Sequence, residues 1–372
     1  MTIKFLAICA LLQSAQLFAE TCSSAPGVPL EDDGEPSFYW QSPDGKAQGW
    51  AHPCTGNFSL MVGNSAPAFA YNSQDAFNPW SLPKGWRFYV PLIEVAGGAP
   101  TALVTENGNR LPVNLDSSLG IYRTTNRKAD YSHIDASQLA SGKLNRVLGG
   151  GSSYVEYERI PSTGYYRPIL EKSIEGKVLR TWSWNSDRTL GSVKDPSGGG
   201  FTYRYEGDHI FIDESGSANT LDAFLPKVPD ANSPRLYFLF GDKQELAIAL
   251  QRGTHRVYVL QSNGSLGTAL KFAGEAFTGA IASDGSGTTV TYAPDEVTVA
   301  ESNHVSSIGY DSQKRVRRIS RDGSTTIIGH SIVGGNSEVV FTNGPTVQTV
   351  TYSAQGDLLS LADGAGSRTY TY

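Results

Sequence analysis

Residues 184–205 read WNSDRTLGSVKDPSGGGFTYRY, and residues 352–372 read YSAQGDLLSLADGAGSRTYTY. Each stretch opens on an aromatic residue, Trp184 or Tyr352, runs through apolar positions, turns on Asp and Gly, and closes on an aromatic pair. In the first, the turn and the closing pair are Asp195, Gly198, Tyr203 and Tyr205. In the last they are Asp363, Gly366, Tyr370 and Tyr372, with Gly356 near the start. A middle copy opens on Tyr310 and Asp311, passes Val316, Ile319, Asp322 and Gly323, and lacks the closing aromatic pair. A period of about twenty residues marks stacked supersecondary units. Within a unit, alternation puts apolar and aromatic side chains on one face of a strand, while Asp and Gly supply the tight or left-handed backbone of the turn. The repeat predicts serial antiparallel hairpins.

The same alternation runs through residues 154–157, 235–240, 257–260, 288–292, 338–342 and 347–352, with Asn263–Gly264 and Asn343–Gly344 as turn signals. No strand alternates with a long helical pattern, which disfavours a doubly wound parallel sheet. The fold class read from the chain is all-β: an N-terminal β-domain over residues 20–150, then an antiparallel strip over residues 151–372. Short apolar runs at residues 57–62, 86–95, 102–104 and 111–113 make up the first unit. The cluster Gly149, Gly150, Gly151, Ser152, Ser153 marks the junction near residue 150. One short helix is expected over residues 135–147, where Asp135 is placed to cap it and Leu139, Leu144 and Val147 give a partial helical stripe.

At these residues the chain resembles the YD-repeat, or RHS-repeat, family, whose unit runs Tyr-Asp, two variable residues, Gly-Arg-Leu, then Asp, Gly and a terminal Tyr-x-Tyr. Asn78, Pro79, Trp80, Ser81 and Leu82, with Gly85 and Trp86, resemble the Trp- and Gly-rich segment that often precedes such repeats. The resemblance implies a long β-sheet strip that spirals, often into a hollow shell around a C-terminal toxin or effector. This chain departs from that pattern: it is short for a closed shell, and at Tyr372 it shows neither the family's C-terminal core motif nor a toxin domain.

The 372 residues exceed what one core commonly supports, so two β-rich units are expected. Hydrophobic residues make up 39%, with 40 glycines and 18 tyrosines, the composition of a folded, turn-rich β-protein. A formal charge of −6 without single-sign blocks offers no field for phosphate backbones, so nucleic acid is not an expected partner. Residues 1–19 read as a secretory signal peptide: a basic start, a mostly apolar stretch at 5–18, and Ala19 at the cleavage position. No stretch is long enough to span a bilayer, which takes about 20 helical residues. The expected location is therefore periplasmic or extracellular. Cys9 leaves with the signal, and Cys22 with Cys54 is expected to form one disulfide tying down the N-terminus, the alternative being two separate buried thiols. The acidic run 31–35 lacks the alternating ligands of a calcium loop and reads as solvated linker.

No Gly-x-Ser-x-Gly elbow occurs; the nearest run, Asp284, Gly285, Ser286, Gly287, reads as a hairpin turn. His52, His133, His209, His255, His304 and His330 are isolated, with no pair at the spacing that would put two imidazoles on one helix face. Asp213 and Glu214 are adjacent on a strand, so they point to opposite faces and cannot flank one bond. The 197–200 stretch lacks the Lys and Ser/Thr of a phosphate loop. These readings give no catalytic residues, no metal site and no cofactor.

Two functional expectations follow. The leading one is an exported non-enzymatic β-scaffold that interacts with or partly encloses a partner polypeptide, with the strand ending at Tyr370 and Tyr372 as an edge to which a second polypeptide adds a strand. The competing one is a stand-alone carbohydrate- or surface-binding module in which Trp182, Trp184, Tyr203 and Tyr205 stack on sugar rings.

Overall fold

The computed structural model describes residues 38–41, 46–51, 56–63, 67–73, 79–80, 82–83, 85–124, 132–149, 151–216, 220–225, 235–240, 245–251, 254–260, 266–273, 276–282, 284–301, 304–312, 315–353 and 358–370. The signal-peptide reading, the Cys22–Cys54 pairing, the acidic run, Gly356 and Tyr372 lie outside them. The described residues are almost wholly β-strand, with antiparallel pairing throughout.

Five strands form a first sheet in simple serial order: β1 (Phe38–Gln41), β2 (Ala47–Ala51), β3 (Phe58–Gly63), β4 (Pro67–Asn72) and β5 (Trp86–Phe88). It carries Phe58, Leu60, Val62, Phe69, Trp86 and Phe88, all essentially removed from solvent.

The next eight strands are β6 (Leu92–Ala96), β7 (Ala99–Val104), β8 (Arg110–Asp116), β9 (Ile121–Thr124), β10 (His133–Asp135), β11 (Lys143–Val147), β12 (Ser153–Arg159) and β13 (Tyr165–Ser173). They pair in sequence, and β13 returns to pair with β6 through Tyr165↔Glu94 and Tyr166↔Ile93. The result is an eight-stranded barrel filled by side chains such as Ile93, Leu103, Leu111, Ile134, Leu144, Val155 and Tyr157. Two expectations change here. The helix over residues 135–147 is instead β10, a three-residue 3-10 turn at Leu139–Ser141 and β11. Asp135 does cap, but it caps a turn: its carboxylate accepts the Ser137 N–H at 2.9 Å, and cross-strand pairing of Ile134 and Leu144 into the barrel core overrides a three-point helical stripe. The junction placed near residue 150 falls inside the barrel. There the chain only turns from β11 to β12, with the Leu148 N–H donating to Ser153 O at 2.9 Å. A glycine-rich hairpin turn and a linker have the same composition.

From β13 the chain continues as one meander: β14 (Val178–Trp184), β15 (Leu190–Lys194), β16 (Gly200–Glu206), β17 (His209–Glu214), β18 (Thr220–Phe224), β19 (Arg235–Phe240), β20 (Glu245–Gln251), β21 (Thr254–Leu260), β22 (Leu266–Ala273) and β23 (Ala276–Ala282). It ends with β24 (Gly287–Ala293), β25 (Glu296–Glu301), β26 (His304–Tyr310), β27 (Val316–Arg321), β28 (Ser324–Val333), β29 (Asn336–Asn343), β30 (Thr346–Tyr352), β31 (Leu358–Asp363) and β32 (Gly366–Thr369). One face is apolar and covered, as shown by Val290, Val299, Ile308, Val339 and Val350; the other carries Thr289, Thr291 and similar residues to solvent.

Between β14 and β23 the covered face of the strip meets the first sheet. Phe58 stacks on Phe277 at 4.9 Å and meets Phe272 edge-on; Phe69 and Trp86 contact Phe238; Phe88 contacts Tyr203 and Tyr205. The Phe277 N–H donates to Gly56 O at 2.7 Å. Nine inter-strand steps separate β14 from β23, about 43 Å if laid flat, whereas β3 to β5 spans only about 10 Å. The strip therefore bends around the N-terminal sheet, which fills the space it encloses.

Candidate functional site

The place where barrel, strip and N-terminal sheet meet is a fork in β13. Its first residues pair with β6, its later residues with β14 from Leu170↔Thr181 onward. Between them lies Pro168, which has no N–H to leave unpaired. Its carbonyl accepts the Trp184 indole N–H at 2.8 Å. Trp184 in turn stacks on Trp80 with centroids 6.2 Å apart and planes within 4°. Each ring is covered by a guanidinium: Arg167 lies 4.8 Å over Trp184 and Arg87 lies 5.6 Å over Trp80. Arg167 is nearly buried and is held by Glu158 at 2.8 Å; Arg87, 1% exposed, donates to Val90 O.

A second junction fastens the N-terminal sheet to the β7–β8 turn of the barrel. The Asn72 side-chain amide donates to Asn109 Oδ1 at 3.2 Å and to Asn107 O at 3.3 Å, and the Ser73 hydroxyl donates to Asn57 Oδ1. All are buried, so each hydrogen bond is made where an unmade one would be costly. The sequence reading missed this network, and no local pattern signals it: the asparagines come together from turns 35 to 52 residues apart.

The repeat-signature residues have a common geometry. Trp184, Tyr310 and Tyr352 each end a strand, and in each the register shifts immediately before the aromatic. Six residues on, Leu190 and Val316 open the following strands, paired with Trp184 and Tyr310. The ring that closes the unit then donates to that residue's carbonyl: Tyr205 OH to Leu190 O at 2.6 Å, and His330 Nε2 to Val316 O at 2.8 Å. The middle copy is thus complete, with His330 standing where the others carry tyrosine. A further copy, without the Tyr-Asp opening, runs from Phe272 after a register shift to Phe277 and closes with Tyr292 OH on Phe277 O at 2.6 Å. Its turn is Asp284, Gly285, Ser286, Gly287, a hairpin turn in which Asp284 accepts the Ser286 N–H and hydroxyl. Asp195 does the same for Ser197. Asp311 accepts the Arg315 backbone and guanidinium, and Asp363 accepts the N–H groups of Ala365 and Gly366. Gly198 has φ +84°, the left-handed backbone that its position demands.

These contacts define what the aromatic residues face. Trp182 and Tyr203 are buried, and Trp184 and Tyr205 are packed against Trp80 and Phe88. Burial also raises the phenol pKa values of Tyr203, Tyr205 and Tyr292 well above 10. The four residues named for sugar stacking therefore turn to the interior of this chain. Asp213 is exposed beside Glu214 on β17 and bonds Thr220 across the strand pair. His209 pairs with Asp222 and His304 with Asp322, in separate places. Among the described residues, no three His, Cys, Asp or Glu side chains gather as metal ligands, and no helix is long and apolar enough to cross a membrane.

No protein-family model matches the chain, and no curated protein matches it. Among solved structures, a chain of the Photorhabdus luminescens Tc holotoxin pore is similar over 92% of this chain and 21% of its own length, at 10% identity and a TM-score of 0.25. A chain of the TcdB2-TccC3-Cdc42 crystal structure is similar over 90% and 22%, at 11% identity and 0.24. A porin-like protein from Bacteroides uniformis is similar over 56% and 92%, at 10% identity and 0.19. The chain spans about a fifth of the length of the Tc toxin chains it matches.

Proposed function

We propose that this chain is an exported, non-enzymatic β-scaffold of the RHS/YD-repeat type, whose wrapped interior is occupied by its own N-terminal sheet and which engages a partner polypeptide from outside. The carrying observation is the aromatic contact series from Trp184 to Phe277, which commits the covered face of β14–β23 to the N-terminal sheet and Trp80. Three of the tandem units are tied by a ring-to-carbonyl bond, which supports a structural role for the repeat. The partner docks by strand addition at β32. That strand pairs with β31, carries one charge, Arg368, and has no second strand beside it among the described residues. No observation favours the glycan-binding alternative.

Native and denaturing mass spectra of the protein recovered from its own organism test this reading. A stoichiometric second polypeptide, lost when residues 368–372 are deleted, is the expected result. A lone folded monomer, or association indifferent to that deletion, overturns the partner assignment.

A further inference from the structure

Among the described residues of the barrel and strip, every strand pairing except one joins strands consecutive in the chain. The exception is β6 with β13, whose contact joins residues 71 apart and comprises two register pairs plus the Val95 N–H donated to Gly164 O at 2.7 Å. That seam alone turns a meander into a barrel. On it sits Glu94, whose carboxylate accepts Arg110 Nε and Nη2 at 2.8 and 3.0 Å, the Thr101 hydroxyl at 3.1 Å and the Tyr165 hydroxyl at 3.5 Å. These donors come from β8, β7 and β13, so one carboxylate gathers strands from both sides of the closure. The Glu94 and Arg110 side chains are 19% and 26% exposed, which shields the pair from full solvent screening.

We infer that the Glu94 cluster is an acid-sensitive latch on the barrel: protonating this one carboxylate releases β6 from β13 and exposes two strand edges, while the sequence-local hairpins stay paired. Closing a long loop is the contact with the highest entropic cost, so it is the first to go when its fastening weakens. The bidentate Arg110 bond comes first among the causes that hold the Glu94 carboxyl below its ordinary 4.5, and burial opposes it. A depressed carboxyl pKa gives stability that is present above the unfolded value and lost as pH falls through the folded one. The other groups facing Glu94 keep their charge state across that range: Arg110 stays cationic, Tyr165 stays neutral, and Thr101 does not titrate.

Amide hydrogen exchange of the full chain tests the latch. Glu94→Gln at neutral pH is expected to speed exchange at the Val95 amide roughly ten- to hundredfold, the range for losing charge-assisted hydrogen bonds, and to leave the Leu148 amide of the β11–β12 hairpin unchanged. Acidifying the parent protein through the range below 4.5 should produce the same selective opening, read as protection factors, and Glu94→Gln should add no further pH response there. Glu156→Gln, which removes the Lys172 partner within the local β12–β13 hairpin, should leave Val95 protected. An unchanged Val95 in Glu94→Gln, joint acceleration of Val95 and Leu148, or opening in Glu156→Gln would each overturn the inference.

Discussion

Replacing Tyr205 by Phe removes a single atom from the strip and isolates the bond that closes a repeat unit. The phenyl ring keeps its edge-on contact with Phe88, so apolar burial is unchanged, and what is lost is the hydroxyl donor to Leu190 O. A carbonyl left without its donor in a partly buried site costs about 1–2 kcal/mol. Tyr292→Phe removes the equivalent donor to Phe277 O, eight strands further along. The two sites share no partner, so their losses should add to within about 0.5 kcal/mol, giving a double variant weaker by about 2–4 kcal/mol. Urea unfolding followed by fluorescence reads this as a lower midpoint at constant slope. Tyr370→Phe, on an exposed ring, serves as the control and should stay within about 0.5 kcal/mol of the parent. A double variant losing less than about 0.5 kcal/mol would refute the claim that ring-to-carbonyl bonds hold the units together.

If His330 is the closing ring of the middle unit, His330→Tyr should hold stability within about 0.5 kcal/mol while His330→Leu loses about 1–2 kcal/mol in the same assay. Gly164→Ala places a Cβ 2.8 Å from the Val95 carbonyl oxygen, a backbone atom that cannot swing aside; the expected loss is about 1–3 kcal/mol, with Val95 amide protection falling first. Since burial raises the Tyr203, Tyr205 and Tyr292 phenols above the ordinary 10, their contribution to stability should be constant up to about pH 10 and fall above it, as the unfolded chain ionises first. Ultraviolet titration should find these three phenols un-ionised until the protein unfolds; their titration in the native state would contradict the packing described.

Much of the strip was legible beforehand because hairpins are local. The two-residue alternation, the Asp-x-Ser turns and the aromatic ends of the units are written within about twenty residues of one another, and residues 190–205 and 358–369 form the hairpins that their spacing implies. The copy from Phe272 to Tyr292 escaped because its opening and closing positions depart from the Tyr-Asp and Tyr-x-Tyr pattern, yet the register shift and the ring-to-carbonyl bond are the same. The helix over residues 135–147 failed because barrel pairing of Ile134 and Leu144 outweighed a weak stripe. The glycine cluster near 150 gave no information on whether the chain turned or separated.

The candidate site depended on contacts that no window of sequence contains. The sequence leaves open whether Trp184 packs within the repeat or stacks on a sugar, because nothing local says that Trp80, over a hundred positions earlier, covers it. Local chemistry determined the all-β class, the meander and the repeat, since turn residues and alternation act between neighbours in the chain. Tertiary structure alone decided that β6 closes on β13, that buried asparagines fasten sheet to barrel, and that the strip wraps its own N-terminal sheet. Those outcomes rest on burial and hydrogen-bond satisfaction between segments that only the folded chain brings together.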